Sequence, residues 1–562
     1  MLMLNVPFFS HSRYPLAAAG TIETRLEMKK IYGIFLMGFL ALTACSKPDG
    51  DKAFDELVFI DHQNLRQVVD RETTLFQVNS IKKNMDKAAD YGIDTYLLFA
   101  KDTFEAMLNY DFEIDGIGNI GQQAFALESQ HRQTGEYLRE SLQQVLDHAQ
   151  KKNLRVFYHS NQFIFPREVL QVIKPAVWGT AVCPGRDITW MIYRQKLNEF
   201  LTMFPAIAGF QVTGDETQVS VLECACDSCR HLSFVDRVNL LTAETAKVCE
   251  AHGKEVQMRT WQRMGELEAE KDPSHMGDGL PGNVFFSIKN TRGDFLLTNP
   301  VDIKFLKAAD PNRIVVEFDG WREYTGNNYF PCYMGDIWAP RFKLLQELGI
   351  RRVAVRLNWN SGKNPIFERP WGNVINIYLF LKLAEQPQRP ADEILTEYIE
   401  STFPESACAA AFELYKFSPQ FQQAIYHIDG DYWANHSRVQ DEDAREDLAH
   451  AQRSGYLTKA EHFLERQEEI DVACNIALSL IDRLGPDLPQ THRKELIEGV
   501  YVEKSVALGN IYKLEALYWK AKDNKANLET VKNRLLDLQR EWQSVHPESY
   551  QSMNGRDLTE HY

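Results

Sequence analysis

Two adjacent carboxylates, Asp215 and Glu216, follow a short apolar run at 208–212. The run combines β-branched and aromatic residues without helical spacing, which predicts a buried strand. Acids at the end of a buried strand cost solvation free energy unless they are used, so the pair is a candidate acid/base site. An ordinary helix N-cap or a loop salt bridge is the competing interpretation.

Two further acids, Asp294 and Glu323, also follow predicted strands and have aromatic residues near them in sequence. Glycoside hydrolysis needs one protonated carboxyl group for the leaving oxygen and a second carboxylate as base or nucleophile. Aromatic rings stack on sugar faces, and basic side chains suit a negatively charged sugar. We therefore predict Glu216, Asp294 and Glu323 as catalytic residues. The predicted substrate contacts are His159, Asp215, Arg259, Trp261, Lys289, Asn290, Tyr324, Trp338, Asn358 and Trp359.

These residues need a scaffold that brings several strand ends together. Strands that alternate with amphipathic helices indicate parallel pairing, and eight such units over about 290 residues predict an α/β fold, a (β/α)₈ TIM barrel. Chemistry in such a barrel lies at the C-terminal ends of the strands. An open doubly wound sheet is the alternative, although no Gly-rich dinucleotide-binding turn follows the first strand. The predicted strands are 74–78, 95–99, 154–158, 208–212, 255–259, 284–288, 314–318 and 352–357.

The pattern changes after residue 371, where strand signals end and a 3.6-residue periodicity takes over. We expect the catalytic barrel over 72–371 and an all-α C-terminal domain over 372–562. The helical domain packs on the barrel or mediates self-association as a homodimer in this interpretation. The clearest helical stretches are 390–402, 445–484, 492–522 and 525–542.

An export signal lies near the N-terminus. Two lysines, Lys29 and Lys30, precede an apolar run at 31–44 that is too short to span a bilayer permanently. The ending Leu-Thr-Ala-Cys resembles a bacterial lipobox, which implies that Cys45 is lipidated and becomes the first mature residue. The membrane contact would then be the lipid, and the protein would belong to the bacterial cell envelope, at the outer membrane or the periplasmic face.

The remaining N-terminal residues follow from that interpretation. We expect Met28 to be the true start, an upstream extension and signal peptide over 1–44, and a tether with a short leading segment over 45–71. Removal of 1–44 takes away four basic and two acidic residues and changes the formal net charge from −16 to −18. Such an acidic chain is not expected to bind nucleic acid, because it cannot neutralise phosphates.

Three cysteines, Cys224, Cys226 and Cys229, lie within six residues of one another. Such a cluster binds a metal if a fourth ligand, such as His231 or Cys249, comes close, and a structural zinc ion is the expected occupant. A disulfide with a spare thiol is the alternative. Either arrangement would fix the conformation of the loop that follows the two adjacent acids. Catalysis itself is expected to need no cofactor.

Three stretches resemble the family 67 α-glucuronidases of the glycoside hydrolases. In NVFFSIKNTRGDF (283–295) the Ile-Lys-Asn and the later Asp294 resemble the family's base-bearing loop. In VEFDGWREYTGN (316–327) the Glu-Tyr-Thr-Gly resembles the second base-side glutamate, and GFQVTGDE (209–216) lies where the family has its acid. The resemblance implies that Glu216 is the general acid, that Asp294 and Glu323 activate water with inversion, and that Arg259 helps to hold a uronate.

The chain also departs from that family. No lysine shortly precedes Glu216, and only about 25 residues separate Cys45 from the predicted first strand, which leaves no room for the family's N-terminal β domain. The Gly-Asp-Glu triplet is similar to the signature of family 20 β-hexosaminidases, which would give Asp215 the task of orienting an acetamido group. A non-catalytic glycan-binding lipoprotein is a third interpretation.

Overall fold

The structure is a computed structural model, and part of the chain is described. The described residues are 53–62, 71–100, 103–161, 164–178, 181–213, 224–260, 279–358, 364–428, 430–434, 436–439 and 445–552. Within these ranges, no helix combines the length and the apolar character needed to cross a membrane.

Eight parallel strands form a closed barrel in which each strand pairs with its neighbours in sequence and the last pairs with the first. The predicted (β/α)₈ barrel is therefore confirmed. The strands are β1 Glu56–Asp61, β2 Thr95–Phe99, β3 Arg155–Asn161, β4 Gly209–Thr213, β5 Glu255–Thr260, β6 Val284–Lys289, β7 Ile314–Asp319 and β8 Arg352–Arg356.

Helices of the barrel region alternate with these strands, and a run of helices follows β8. The helices of the barrel region are α1 Arg71–Asp90, α2 Phe104–Met107, α3 Ile120–Ala124, α4 Gln130–Lys151, α5 Arg167–Val172, α6 Asp187–Met203, α7 Phe234–Ala251, α8 Ile303–Ala308 and α9 Gly335–Glu347. Those after β8 are α10 Val374–Glu385, α11 Ala391–Thr402, α12 Cys408–Tyr426, α13 Arg445–Arg453, α14 Ala460–Arg483, α15 Gln490–Ala521, α16 Lys525–Val545 and α17 Pro547–Ser552.

The prediction of a first strand at 74–78 is wrong, because these residues belong to α1. The apolar residues of this segment continue at Val78, Ile81, Met85 and Ala88, all buried, and this spacing is helical. The first strand is β1, which lies in the stretch 45–71 that is predicted to be a tether with a short leading segment. The other seven predicted strands agree with the structure to within three residues at each end.

The alternation of side chains along the strands divides the core into two parts. Outward-facing residues such as Val316 and Phe318 of β7 join the large core under the helices. Inward-facing residues fill the barrel with a small apolar cluster that includes Val58, Phe157 and Val315. The next inward positions along the strands, towards their C-terminal ends, are polar and charged, and they form the floor of the site described below.

The C-terminal helices pack in chain order, with α12 against α14, α14 against α15 and α15 against α16. Glu503 of α15 accepts a hydrogen bond from the backbone amide of Phe330 at 3.0 Å. A side chain at Gly499 would meet the carbonyl oxygen of Tyr329 at 2.3 Å, so only glycine permits this approach. Helix α15 is thereby fixed against the loop that follows β7.

Candidate active site

The floor of the barrel's C-terminal end is organised by Glu317 of β7, which points inward and is fully buried. Its carboxylate accepts hydrogen bonds from Arg259 of β5, with Nε at 2.9 Å and Nη2 at 2.9 Å, and from Ser287 Oγ of β6 at 2.6 Å. Burial raises the pKa of Glu317, but the charge and hydrogen bonds of Arg259 outweigh it and leave the pKa below its usual value. Glu317 is therefore an anion at neutral pH.

A second ion pair lies above this floor, between Glu323 in the loop after β7 and Arg356 of β8. The other carboxylate oxygen of Glu323 contacts His436 Nδ1 at 2.6 Å. Burial raises the pKa of Glu323, but Arg356, His436 and Lys289 together hold it below its usual range. Glu323 is thus a carboxylate at neutral pH and is not suited to donate a proton.

The turn that carries Glu323 is fixed by Asp319 at the end of β7. The two carboxylate oxygens of Asp319 accept the backbone amides of Arg322 at 3.0 Å and Glu323 at 2.7 Å. Arg322 has φ 72°, a left-handed conformation that the turn imposes on a non-glycine residue. Three residues after Glu323, Gly326 has φ 89°, and a Cβ there would lie 2.0 Å from Glu503 Oε1. The left-handed backbone conformation and the close approach of Glu503 therefore require glycine at the end of the Glu-Tyr-Thr-Gly sequence.

The third ion pair joins Lys289 at the end of β6 to Asp294. The Phe295 ring contacts the cations of two pairs, with Lys289 Nζ 4.7 Å and the Arg356 guanidinium carbon 5.0 Å from its centroid. Burial lowers the pKa of Lys289, and the charge of Asp294 acts in the opposite direction. The Lys289 and Glu323 pairs therefore share one neighbourhood.

Aromatic rings stand beside these pairs. Tyr324 lies 5.1 Å from the His436 ring and 5.6 Å from the Tyr432 ring, measured between centroids. Burial raises the pKa of Tyr324, and the charges of Glu323 and Asp294 raise it further. The same two carboxylates raise the pKa of Tyr432, after burial and despite its bonds to Ser437. Asp294 and Glu323 are therefore close enough to act on the same two rings.

The structure also brings several predicted substrate contacts to this end of the barrel. His159 of β3 stacks on Phe99 at 3.4 Å between ring centroids, and the Arg259 guanidinium carbon lies 5.3 Å from the same ring. Asn290 Nδ2 and Asn358 Oδ1 are buried and have no hydrogen-bond partner among the described residues. Asn358 Oδ1 can accept a hydrogen bond from a ligand in the site. Contrary to the sequence prediction, the Asn290 side chain lies on the helix side of the barrel wall, where its Oδ1 accepts a hydrogen bond from Arg341 Nη1 of α9 at 2.9 Å.

No protein-family model and no curated protein matches the sequence. The fold is nevertheless shared with solved glycoside hydrolases. A family 138 enzyme that targets the pectin rhamnogalacturonan II aligns with TM-score 0.56 and 11% identity, over 88% of this chain and 76% of that one.

Two structures of a family 89 glycoside hydrolase from Clostridium perfringens also align. The complex with its substrate GlcNAc-α-1,4-galactose gives TM-score 0.53 and 10% identity, over 87% of this chain and 54% of that one. The complex with 2-acetamido-1,2-dideoxynojirimycin gives TM-score 0.52 and 9% identity, with the same coverage. The chain thus spans about half the length of the family 89 enzyme, and at these identities the likeness establishes the fold.

Some predicted residues are absent from this arrangement. Trp338 lies on α9, is 1% exposed, and packs edge-on against Phe318 at 5.1 Å in the core outside the barrel. Contrary to the sequence prediction, its ring is not available to a substrate, because it faces the barrel wall from the helix side. The predicted residues Cys45, Asp215, Glu216, Trp261 and Trp359 lie outside the described residues.

Several site residues are not indicated by the sequence pattern. Glu317 and Arg356 lie within strands, and the signal that could have found them is a charged residue at an inward position of an otherwise apolar strand. Asp61, which ends β1, accepts hydrogen bonds from Asn358, Tyr96 and Asn84. His436 offered no local signal, because it is 113 residues from Glu323 in the chain.

His436 reaches the site from the loop between α12 and α13. Ser437 Oγ donates to the carbonyl of Glu323 at 2.7 Å and accepts the amide of Gly326 at 3.0 Å. Asn327 Nδ2 bonds to the carbonyl of His436 at 3.1 Å. The C-terminal helical region therefore completes the site rather than merely covering the barrel.

The three clustered cysteines lie close to a fourth, Cys183, in front of α6. The sulfur atoms of all four lie within 4.8 Å of one another. The fourth member is not Cys249, which is buried in the main core, or His231, which is exposed. This group is the one set of three or more cysteine, histidine or acidic side chains close enough for a metal among the described residues.

Proposed function

We propose that this protein is a glycoside hydrolase that acts on an oligosaccharide derived from a polysaccharide. The observation that carries the proposal is the position of Asp294 and Glu323 at the C-terminal end of a closed barrel, where their ion-pair partners Lys289 and Arg356 both contact the ring of Phe295. Two carboxylates beside aromatic rings are the groups that glycosidic hydrolysis uses. The fold shared with two glycoside hydrolase families supports the proposal.

The two carboxylates differ in a way that suggests their tasks. The Asp294 side chain is 19% exposed, whereas that of Glu323 is 3% exposed and held by Arg356 and His436. Asp294 is therefore better placed to contact a water molecule and remove its proton. Glu323, as a fixed anion, stabilises the positive charge that develops at the sugar ring.

The proton for the leaving oxygen must come from another group, because Glu323 stays ionised. We assign that role to Glu216, which follows β4 in the sequence. In this mechanism Glu216 protonates the glycosidic oxygen while water, activated by Asp294, attacks the anomeric carbon from the opposite face. The anomeric configuration of the product is then inverted.

For the sugar we propose a uronic acid or a related sugar, as in α-glucuronidases. Arg259 and Lys289 are the cations that would meet its carboxylate, and both lie at strand ends inside the site. Their charges are already compensated by Glu317 and Asp294. This pairing favours a second candidate, a neutral N-acetylhexosamine, whose acetamido group needs polar contacts but no free cation.

The experiment compares hydrolysis of nitrophenyl glycosides and pectin-derived oligosaccharides by the purified chain. We expect the release of one sugar with inversion. NMR of the first-formed anomer measures the configuration of the product. Asp294→Asn and Glu323→Gln should each lower kcat/KM by at least about a hundredfold, the typical effect of losing an acid/base group. Glu255→Gln, at the opposite end of the barrel, is the matched control and should leave the rate unchanged.

Two results would contradict the proposal. Turnover at the wild-type rate in both site variants would show that the two carboxylates do not take part in the reaction. Sugar binding by calorimetry without cleavage of any substrate would favour a glycan-binding protein instead. A preference for glucuronides over N-acetylhexosaminides, or the reverse, decides between the two candidate sugars.

We further propose that the protein is attached to the cell envelope through a lipid on Cys45. The support is the order of charged, apolar and small residues over 29–45. Metabolic labelling with radioactive palmitate should mark the wild-type chain, and Cys45→Ala should lose both the label and the partition into detergent. Labelling that persists in this variant would contradict the proposal.

A further inference from the structure

The four clustered cysteines have sulfur positions that suit a metal. Cys183 Sγ lies 3.3 Å from Cys226 Sγ and 3.5 Å from Cys229 Sγ, and all four sulfurs lie within 4.8 Å of one another. Tetrahedral zinc with Zn–S bonds of about 2.3 Å places its sulfur ligands about 3.8 Å apart. The observed separations fall around that value. All four cysteines are free thiols in the structure.

The backbone around the sulfurs forms a compact turn. The carbonyl oxygen of Cys226 accepts the amides of Cys229 and Arg230, both at 2.9 Å, so that the chain folds back over this Cys-x-x-Cys. Arg237 of α7 holds the two ends of the turn, donating to the carbonyls of Cys224 at 2.8 Å and Cys229 at 2.6 Å. The cysteines are therefore held in place by contacts that do not depend on a metal.

The segment with Cys183 packs directly against this turn. A Cβ at Gly185 would lie 2.7 Å from Ser228 Cβ and 3.1 Å from Cys229 Sγ, so glycine is required for the approach. The side chain of Thr189 in α6 donates to the carbonyl of Cys183 at 2.7 Å. Two segments that are 41 residues apart in the chain thus meet at one cluster of sulfurs.

We propose that Cys183, Cys224, Cys226 and Cys229 together bind one structural zinc ion. Four protein ligands close the coordination shell and leave no position for a substrate, which distinguishes a structural site from a catalytic one. Thiolate ligands in tetrahedral geometry favour zinc among the common divalent ions. Three of the four cysteines are buried, so the ion would be shielded from exchange.

The location gives the site a role that goes beyond the proposed hydrolysis. Cys183 lies in the connection from β3 to α6, and the other three cysteines lie in the connection from β4 to α7. The metal would cross-link two neighbouring loops at the C-terminal face of the barrel. One of these loops also contains Glu216, eight residues before Cys224.

The test measures metal in the full chain purified without chelator. We expect one zinc per chain by plasma mass spectrometry. Cys183→Ser removes the ligand from the distant segment and should weaken zinc binding at least about tenfold, since even indirect partners of a zinc site contribute that much. Cys474→Ser, which changes a buried cysteine of α14 outside the cluster, is the matched control and should keep its zinc.

A second measurement covers the case in which Cys183→Ser does not fold. Cobalt added to the metal-free wild-type chain should give the intense visible absorption of a tetrahedral tetrathiolate. The proposal is overturned by a purified chain that contains no metal and in which the thiols of all four cluster cysteines are free, as shown by alkylation and peptide mass mapping. It is also overturned by an intact mass lower by four hydrogens, which means two disulfides, or by unchanged zinc affinity in folded Cys183→Ser.

Discussion

The two ends of the barrel both carry ion pairs between strands, but the pairs differ in their exposure to water. At the N-terminal end, Glu56 pairs with Arg352 at 3.0 Å and Arg155 at 3.3 Å, and Arg155 pairs with Glu255 at 2.7 Å. These side chains are 12–43% exposed. At the C-terminal end, the partners of the Arg259–Glu317 and Arg356–Glu323 pairs are 1–4% exposed.

The difference indicates what each set of charges is for. Exposed pairs contribute about 0–1 kcal/mol each and close the open end of the barrel at little cost. For buried pairs, the loss of hydration can exceed the attraction, and apolar residues of similar size would stabilise the fold as well or better. Stability is therefore not a sufficient explanation for charges at these buried positions. Preorganised charges away from water are what a hydrolytic transition state requires.

The largest contrast between the two ends should appear in the free energy of unfolding. Glu317→Ala leaves the buried Arg259 guanidinium without this carboxylate and should cost about 3–5 kcal/mol. Glu255→Ala breaks an exposed pair with Arg155 and should cost about 0–1 kcal/mol. Urea unfolding followed by fluorescence measures both. Equal losses in the two variants would remove the distinction between the ends.

A double variant should separate stability from function at the buried end. Arg259→Met combined with Glu317→Leu removes both charges and leaves neither partner alone, so stability should return to within about 1 kcal/mol of the wild type. Hydrolysis should nevertheless fall at least about tenfold, because the floor of the site loses its charges. The single variant Glu317→Ala is the comparison. Full activity in the stable double variant would show that the floor is structural only.

The fold of the barrel was predictable because its signal is local and repeated. Seven strands were located by short apolar runs between amphipathic helices, and the run at 74–78 failed because five residues do not distinguish a strand from one side of a helix. Asp294 and Glu323 were found because each closely follows a strand. That rule could not find Glu317 and Arg356, which are inside strands.

Other members of the two sites depend on contacts that only the folded chain creates. His436 belongs to a loop of the helical region, and its approach to Glu323 depends on how that region packs on the barrel. Cys183 is separated from the other three cysteines by the whole of α6 and β4. Spacing in the sequence identifies partners that are close together in the chain. His436 and Cys183 are both far in sequence from the residues that they contact.

A smaller effect is expected from the pH dependence of the pair between His436 and Glu323. Burial lowers the pKa of His436, but its hydrogen bond and attraction to Glu323 outweigh this and raise it above 6.5. This contribution to stability is therefore complete below pH 6.5 and lost as the pH rises through the folded pKa. The pKa of Glu323 is lowered, so its contribution is complete above pH 4.5 and lost as the pH falls.

The measurement is Tm as a function of pH for the wild type and His436→Gln. The wild type should be most stable between the two values and should lose stability on the alkaline side. His436→Gln should lack that alkaline decline, whereas Glu255→Gln at the other end should keep it. An unchanged alkaline decline in His436→Gln would assign it to another group.

The smallest expected effect is the response of the exposed end to salt. Mobile ions screen charges in contact with water and hardly reach buried ones, so the pairs of Glu56, Arg155 and Glu255 should weaken as salt increases. Raising sodium chloride from about 0.05 M to about 1 M should lower their contribution by a few tenths of a kcal/mol. Arg155→Gln should therefore reduce the salt dependence of unfolding.

The double variant Arg259→Met with Glu317→Leu is the control and should keep the salt dependence of the wild type. The two side chains that carry the removed charges are only 1–4% exposed, so salt does not screen them. A salt response that followed the buried pair instead would mean that water and ions reach the floor of the site, and its charges would then be no better preorganised than those at the exposed end.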